Sequence, residues 1–221
     1  MNIRVINPYA KVVSRHRESL DYIIAHLPPN PGFDELNAQL VASFFEPDPE
    51  NETLGNLFVD ALETVLPNLY NAYVHGSSKG KGFANYSEAQ QRLIAEMLEG
   101  VVRTPAEAIS DFLDGMEEKI VVGDFSFAEQ MPLLLACAIG KSDSAYWQEQ
   151  IATPGAWTPY LNSDNAINYM HVNSWVAASL QGALLNYRLL PQPEIPLVDG
   201  LTSIVGATGL VAGKVVFGWV G

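Results

Sequence analysis

The last 27 residues, Ile195 to Gly221, read IPLVDGLTSIVGATGLVAGKVVFGWVG and carry only two charges, Asp199 and Lys214. An apolar stretch of that size must be covered, because a contiguous exposed apolar patch marks a binding surface, a membrane contact or a core element. Thr202, Gly206, Gly209 and Gly213 recur at spacings of four, three and four. At 100° per residue they fall within about 60° of one another on a helix and form one ridge of small residues. A second helix can approach such a ridge closely, and Gly209 to Gly213 is itself a G-x-x-x-G. Each glycine costs a helix interior about 1 kcal/mol relative to alanine, so close packing has to offset the loss.

Three coverings are open at this stage: the rest of the same domain, another subunit, or a membrane. Leu201 to Gly213 gives thirteen uncharged residues before Lys214, fewer than the roughly 20 needed to span a bilayer. An extended conformation competes with the helix, since Val, Ile, Thr and Phe favour strands.

The remainder of the chain reads as mainly α-helical, a single multi-helix domain of about seven to nine helices. Boundaries fall at a basic N-terminal arm (1–17), a helical domain (18–190), and a Pro connector with the Gly/Val-rich segment (191–221). Apolar residues at helical spacing place helices over Val13–Leu27, ended by Pro28-Pro29, and over Phe33–Phe45. A third, Leu54–Tyr73, contains Pro67, and the loop Gly76–Gly82 follows. Asn85 or Ser87 caps the next helix, which Gly100 ends. Thr104-Pro105-Ala106-Glu107 and Ser126-Phe127-Ala128-Glu129 both read as capping boxes. The second opens an all-apolar central helix, Met131–Ile139, stopped by Gly140 and followed by a shorter helix, Ser142–Ile151. Ile120–Val122 reads as an extended link. A long helix runs from Ser163 or Asp164 to about Leu190, and Pro191, Pro193 and Pro196 stiffen the connector to the tail.

Charge bears on partners. Twelve Lys and Arg against 25 Asp and Glu leave a net charge of −13, which disfavours nucleic acid, whose phosphates attract clustered cations. An acidic surface favours basic protein partners or contact with its own basic arm, where Arg4, Lys11, Arg15 and Arg17 stand without an acid. The single cysteine, Cys137, sits in an apolar run and reads as a core thiol. The N-terminal residues lack the pattern of a Sec signal peptide, so a cytoplasmic location is the default expectation, with export by another route left open.

Catalytic patterns are weak. Gly76-Ser77-Ser78-Lys79-Gly80 fits G-x-S-x-G, with His171 as base and Asp124, Asp143 or Asp164 as orienter, but that chemistry needs a strand before the serine. The P-loop spacing is not met at Gly80-Lys81. His16, His26, His75 and His171 show no metal-ligand spacing, so neither a metal nor another cofactor is expected. Trp147, Trp157 and Trp175, with Tyr146, Tyr160 and Tyr169, concentrate within about thirty residues and form either core or the wall of a ligand pocket.

Ser144-Ala145-Tyr146-Trp147, a further tryptophan and the Gly/Ala/Val-rich C-terminal segment resemble a group of uncharacterised bacterial proteins whose tails are compared with bacteriocins. The resemblance covers residues 140–221 at most, and it implies a bacterial origin and a membrane-active tail. The residues themselves favour a non-enzymatic helical protein whose small-residue face packs within the fold or in an assembly. A pore-forming protein and a serine hydrolase using Ser78 and His171 are the alternatives.

Overall fold

The computed structural model describes residues 7, 9, 13–44, 65–67, 70, 83–161, 164–187 and 196–218. The protein is a mainly α-helical single domain. Among the described residues it has seven α-helices: α1 (Ser14–His26), α2 (Phe33–Phe44), α3 (Glu88–Arg103), α4 (Ile109–Val122), α5 (Phe127–Ala152), α6 (Asn165–Leu185) and α7 (Pro196–Phe217). Short 3-10 turns cover Ala106–Ala108 and Thr158–Tyr160, and none of the described residues is in a strand. Of the expected third helix, Val65–Pro67 and Tyr70 are helical and the rest lies outside the described residues, as does the loop Gly76–Gly82.

The C-terminal helix is the centre of the domain. α7 packs most extensively on α6 and also touches α1, α2 and α5, and every residue from Gly200 to Gly213 is buried. Its first residue is Pro196, which suits a helix start because the missing N–H would be unpaired there in any case. The helical tail excludes the extended alternative. α5 lies against α6 and α4, and α3 lies against α6 and α4, so the four form a packed layer beside α1, α2 and α7.

Local chemistry explains several starts and corrects others. Ser87 and Ser126 each accept from the N–H three residues on, while Gln90 and Glu129 reach back to the cap N–H, giving two complete capping boxes. Thr104 does not cap α4. Its hydroxyl donates to Gly100 O at 2.8 Å and its N–H closes on the same carbonyl, so it ends α3 instead. α4 consequently begins through the Ala106–Ala108 turn without a side-chain cap.

Neither Gly100 nor Gly140 ends a helix. α3 continues to Arg103, and α5 is one unbroken helix of 26 residues where two were expected. Each glycine is a space filled by a neighbour. A Cβ on Gly100 would lie 2.1 Å from Phe112 Cζ, and one on Gly140 would lie 2.8 Å from side-chain atoms of both Leu113 and Leu180. Ile120–Val122, expected to be extended, completes α4, and α6 ends at Leu185, earlier than Leu190.

Gly115 is different. It lies in the interior of α4, exposed, with nothing within 4 Å of where a Cβ would stand. Gly115→Ala is therefore expected to raise stability by about 1 kcal/mol, the helix-propensity difference, and thermal unfolding checks it.

Candidate functional site: a buried Ser–Asp–His–Thr network

The polar groups that converge most closely are inside the bundle, one from each of four helices. His16 lies on the apolar stripe of α1 with Val13, Leu20 and Ile23; Asp143 is on α5, Ser179 on α6 and Thr208 on α7, and all four are 0% exposed. His16 Nε2 stands 2.7 Å from Asp143 Oδ1, and His16 Nδ1 stands 2.7 Å from Thr208 Oγ1. Ser179 Oγ donates to Asp143 Oδ2, and Thr208 Oγ1 donates to Ile204 O at 2.8 Å.

Counting hydrogens assigns the imidazole. Thr208 has one hydroxyl hydrogen and gives it to Ile204 O, so the Thr208–His16 contact needs a hydrogen on Nδ1. Between Nε2 and Oδ1 there is then one proton, whichever atom holds it. The network is electrically neutral as a unit, which is the condition for burying it without a large desolvation cost.

A hydroxyl, an imidazole and a carboxylate in series have the connectivity of a nucleophile, base and orienter. Here the Thr208 hydrogen is committed to a helix carbonyl and the whole chain of groups is closed to solvent. The network ties α1, α5, α6 and α7 together at one point.

A second, aromatic cluster adjoins it. Trp147 packs on Tyr146, Trp157 and Trp175 with ring centroids 5.0 to 5.2 Å apart, and Trp157 meets Tyr160 at 6.4 Å. Trp157 Nε1 donates to Tyr146 Oη at 2.7 Å, and Tyr146 Oη donates to Asp21 Oδ1 at 2.8 Å. Burial, together with the Asp21 and Asp143 carboxylates, pushes the Tyr146 phenol far above its ordinary range. Arg17 covers the Tyr146 ring at 5.3 Å while pairing with Glu149. Trp147, Trp157 and Trp175 thus fill interior space against one another. An open depression of about 540 Å³ lies nearby, lined by Pro29, Asn30, Pro31, Pro159, Tyr160 and Val216.

The N-terminal residues enter the body as well. Tyr9 is fully buried, and Asn7 Nδ2 donates to Glu117 Oε1 at 2.6 Å and to Leu134 O at 2.7 Å. Glu117 is also held by Lys141 Nζ at 2.8 Å, which reaches Asp114 too. Burial acts to lower the Lys141 pKa, but the hydrogen bonds it donates to Asp114 and Glu117, with their negative charges, outweigh it and leave the ammonium above its usual value. Cys137 is buried and desolvation raises its thiol pKa, so it stays protonated and unreactive.

At the tail, Gly206 faces α6 at Gly182. A Cβ on Gly206 would lie 2.6 Å from Gly182 O, and one on Gly182 would lie 2.3 Å from Gly206 O. Asn186 Nδ2 donates to Gly182 O at 2.8 Å, filling the notch beside the crossing. Thr202 is 3% exposed, and Gly209 and Gly213 are buried with it on the same helix.

No protein-family model, no characterised protein and no solved structure matches this chain. The geometry therefore has to carry the functional reading unaided.

Ser78 lies outside the described residues, and His171 is exposed, stacked on Trp175 at 6.1 Å. Asp143, weighed as an orienter for His171, is bound to His16 instead. Among the described residues no group of three His, Cys, Asp or Glu is placed to hold a metal. The network and Gly182 are what sequence reading did not single out. The available signal was one small or polar residue interrupting an apolar stripe in each of four helices.

Proposed function

We propose that this chain is a non-enzymatic helical protein that works through protein contacts, with α7 as the internal element on which the bundle is built. The observation that supports the reading is the backbone-to-backbone crossing at Gly182 and Gly206. A helix seated that closely against its own chain is spent on packing. The whole chain carries a net charge of −13, which suits a basic protein partner. Gly209→Leu tests the reading by thermal unfolding and sedimentation. A lower melting temperature with unchanged mass supports packing within the fold, and an altered mass supports packing in an assembly. No change in either removes the reading.

A second reading, a bacteriocin-like or pore-forming protein, is supported by one feature of α7. Gly200–Phe217 has a mean hydropathy of 1.5 and carries Lys214 as its one charge. Eighteen helical residues extend about 27 Å, close to the roughly 30 Å of a bilayer's hydrocarbon core. Under this reading the protein releases dye from anionic vesicles at neutral or acid pH, and failure at both eliminates it.

A further inference from the structure

The turn between α4 and α5 leaves apolar side chains exposed beside carboxylates. Val122, the last residue of α4, is 68% exposed, and Phe127, the first residue of α5, is 71% exposed. Glu118 stands one helical turn before Val121 and Val122, at the spacings that make side chains neighbours, and Asp124 lies between Val122 and Phe127. Both carboxylates are exposed, and neither has an ion-pair partner among the described residues. The one cation of α4, Lys119, is held by Glu96 of α3.

The N-terminal arm leads toward this surface. Its contacts step back along α5 toward the start of that helix: His16 meets Asp143, Asn7 Nδ2 donates to Leu134 O, and Tyr9 Oη donates to Met131 Sδ at 2.9 Å. The same Asn7 nitrogen donates to Glu117 Oε1 on α4, so Asn7 bridges the two helices of the hairpin close to their turn. Asn7 Oδ1 accepts from the Tyr9 N–H at 2.9 Å, a local Asx turn, and Tyr9 is fully buried. The arm is therefore anchored at Asn7, with residues 1–6 still to be placed.

We propose that residues 1–6, which lie outside the described residues, dock across the α4–α5 turn, with Ile3, Val5 and Ile6 against Val122 and Phe127 and with Arg4 paired to Glu118 and Asp124.

Reach and chemistry both favour this occupant. α5 rises about 10 Å from Leu134 to Phe127, and six residues of extended chain span about 20 Å. The segment reads MNIRVI, in which Met1, Ile3, Val5 and Ile6 are apolar and Arg4 is the one charged side chain, opposite in sign to the two carboxylates. An exposed ion pair is weak by itself. Here the tether at Asn7 makes the contact intramolecular, which spares it most of the entropy that a separate partner loses on binding. A second copy is the poorer source of the arm, because two chains of net charge −13 repel each other.

Paramagnetic relaxation on the full chain tests the contact. A nitroxide attached at Asn2→Cys reports on the arm alone, since Cys137 is buried and its raised thiol pKa keeps it protonated. The amide signals of Val121, Val122 and Phe127 are expected to broaden, and that of Ile109, about 20 Å away at the other end of α4, far less. Glu118→Lys/Asp124→Lys changes two exposed residues and leaves the core untouched. It should reduce the broadening about fivefold, and adding Arg4→Glu to that variant should restore it. Absence of broadening at the turn overturns the proposal, and so does broadening that survives the charge reversal. In a mixture of nitroxide-labelled and isotope-labelled chains, broadening that arises only between molecules would give the surface to the arm of a second copy and overturn the proposal equally.

Discussion

Gly182→Ala is expected to destabilise the protein by about 3 kcal/mol, at the upper end of what overpacking a core costs. The added methyl would lie 2.3 Å from Gly206 O, 2.7 Å from Gly206 C and 2.9 Å from Ala207 Cα. These are backbone atoms of a helix and cannot rotate aside. The axes of α6 and α7 must separate, and the side chains beside the crossing, Ala183, Leu184 and Leu210, lose contacts in the process. Gly206→Ala meets Gly182 O at 2.6 Å and the Asn186 side chain at 2.4 Å, and should cost a similar amount. For a chain of this size 3 kcal/mol corresponds to roughly 10 °C in melting temperature. Both substitutions improve intrinsic helix propensity, as Gly115→Ala does. Opposite signs at Gly182 and Gly115 would isolate the close approach as the cause. A Gly182→Ala protein that melts with the wild type would refute it.

How much of this was legible depends on how local each signal is. Ser126 with Glu129 reads correctly because a capping box is complete within four residues. Thr104 has the same spelling and fails because its hydroxyl is taken by Gly100 O, on the helix before it. Gly100 and Gly140 look like stops, yet Phe112, Leu113 and Leu180 arrive from other helices to occupy the space each leaves. Gly206 is legible as part of a spaced set, whereas Gly182 is a lone glycine whose meaning exists only across the α6–α7 contact. The helical class follows from apolar periodicity, which is clear in α3, while α5 and α6 are apolar on nearly all sides and show it least. The candidate site does not, since His16 and Asp143 are 127 residues apart and only folding brings them to one point.

That separation makes the pair a measurable unit. His16→Leu strands the Asp143 carboxylate in the core with the Ser179 hydroxyl as its remaining partner, and Asp143→Val strands the imidazole against Thr208. Each single change should cost about 3–5 kcal/mol, the penalty of leaving one half of a buried pair. The double variant replaces both ionisable groups by apolar ones of similar bulk, and with no buried charge left to desolvate, only the Ser179 hydroxyl needing another acceptor, it should be more stable than either single. The coupling then has the sign opposite to two independent lesions and a size of about 3 kcal/mol or more, at the upper limit of what contacting residues show. Urea unfolding of the four proteins at neutral pH measures it. Additive losses would mean that His16 and Asp143 contribute separately and share no proton. Strong coupling would mean that the bundle tolerates an apolar junction there, so that what the polar network adds to this fold is the register among four helices, with stability as the lesser part.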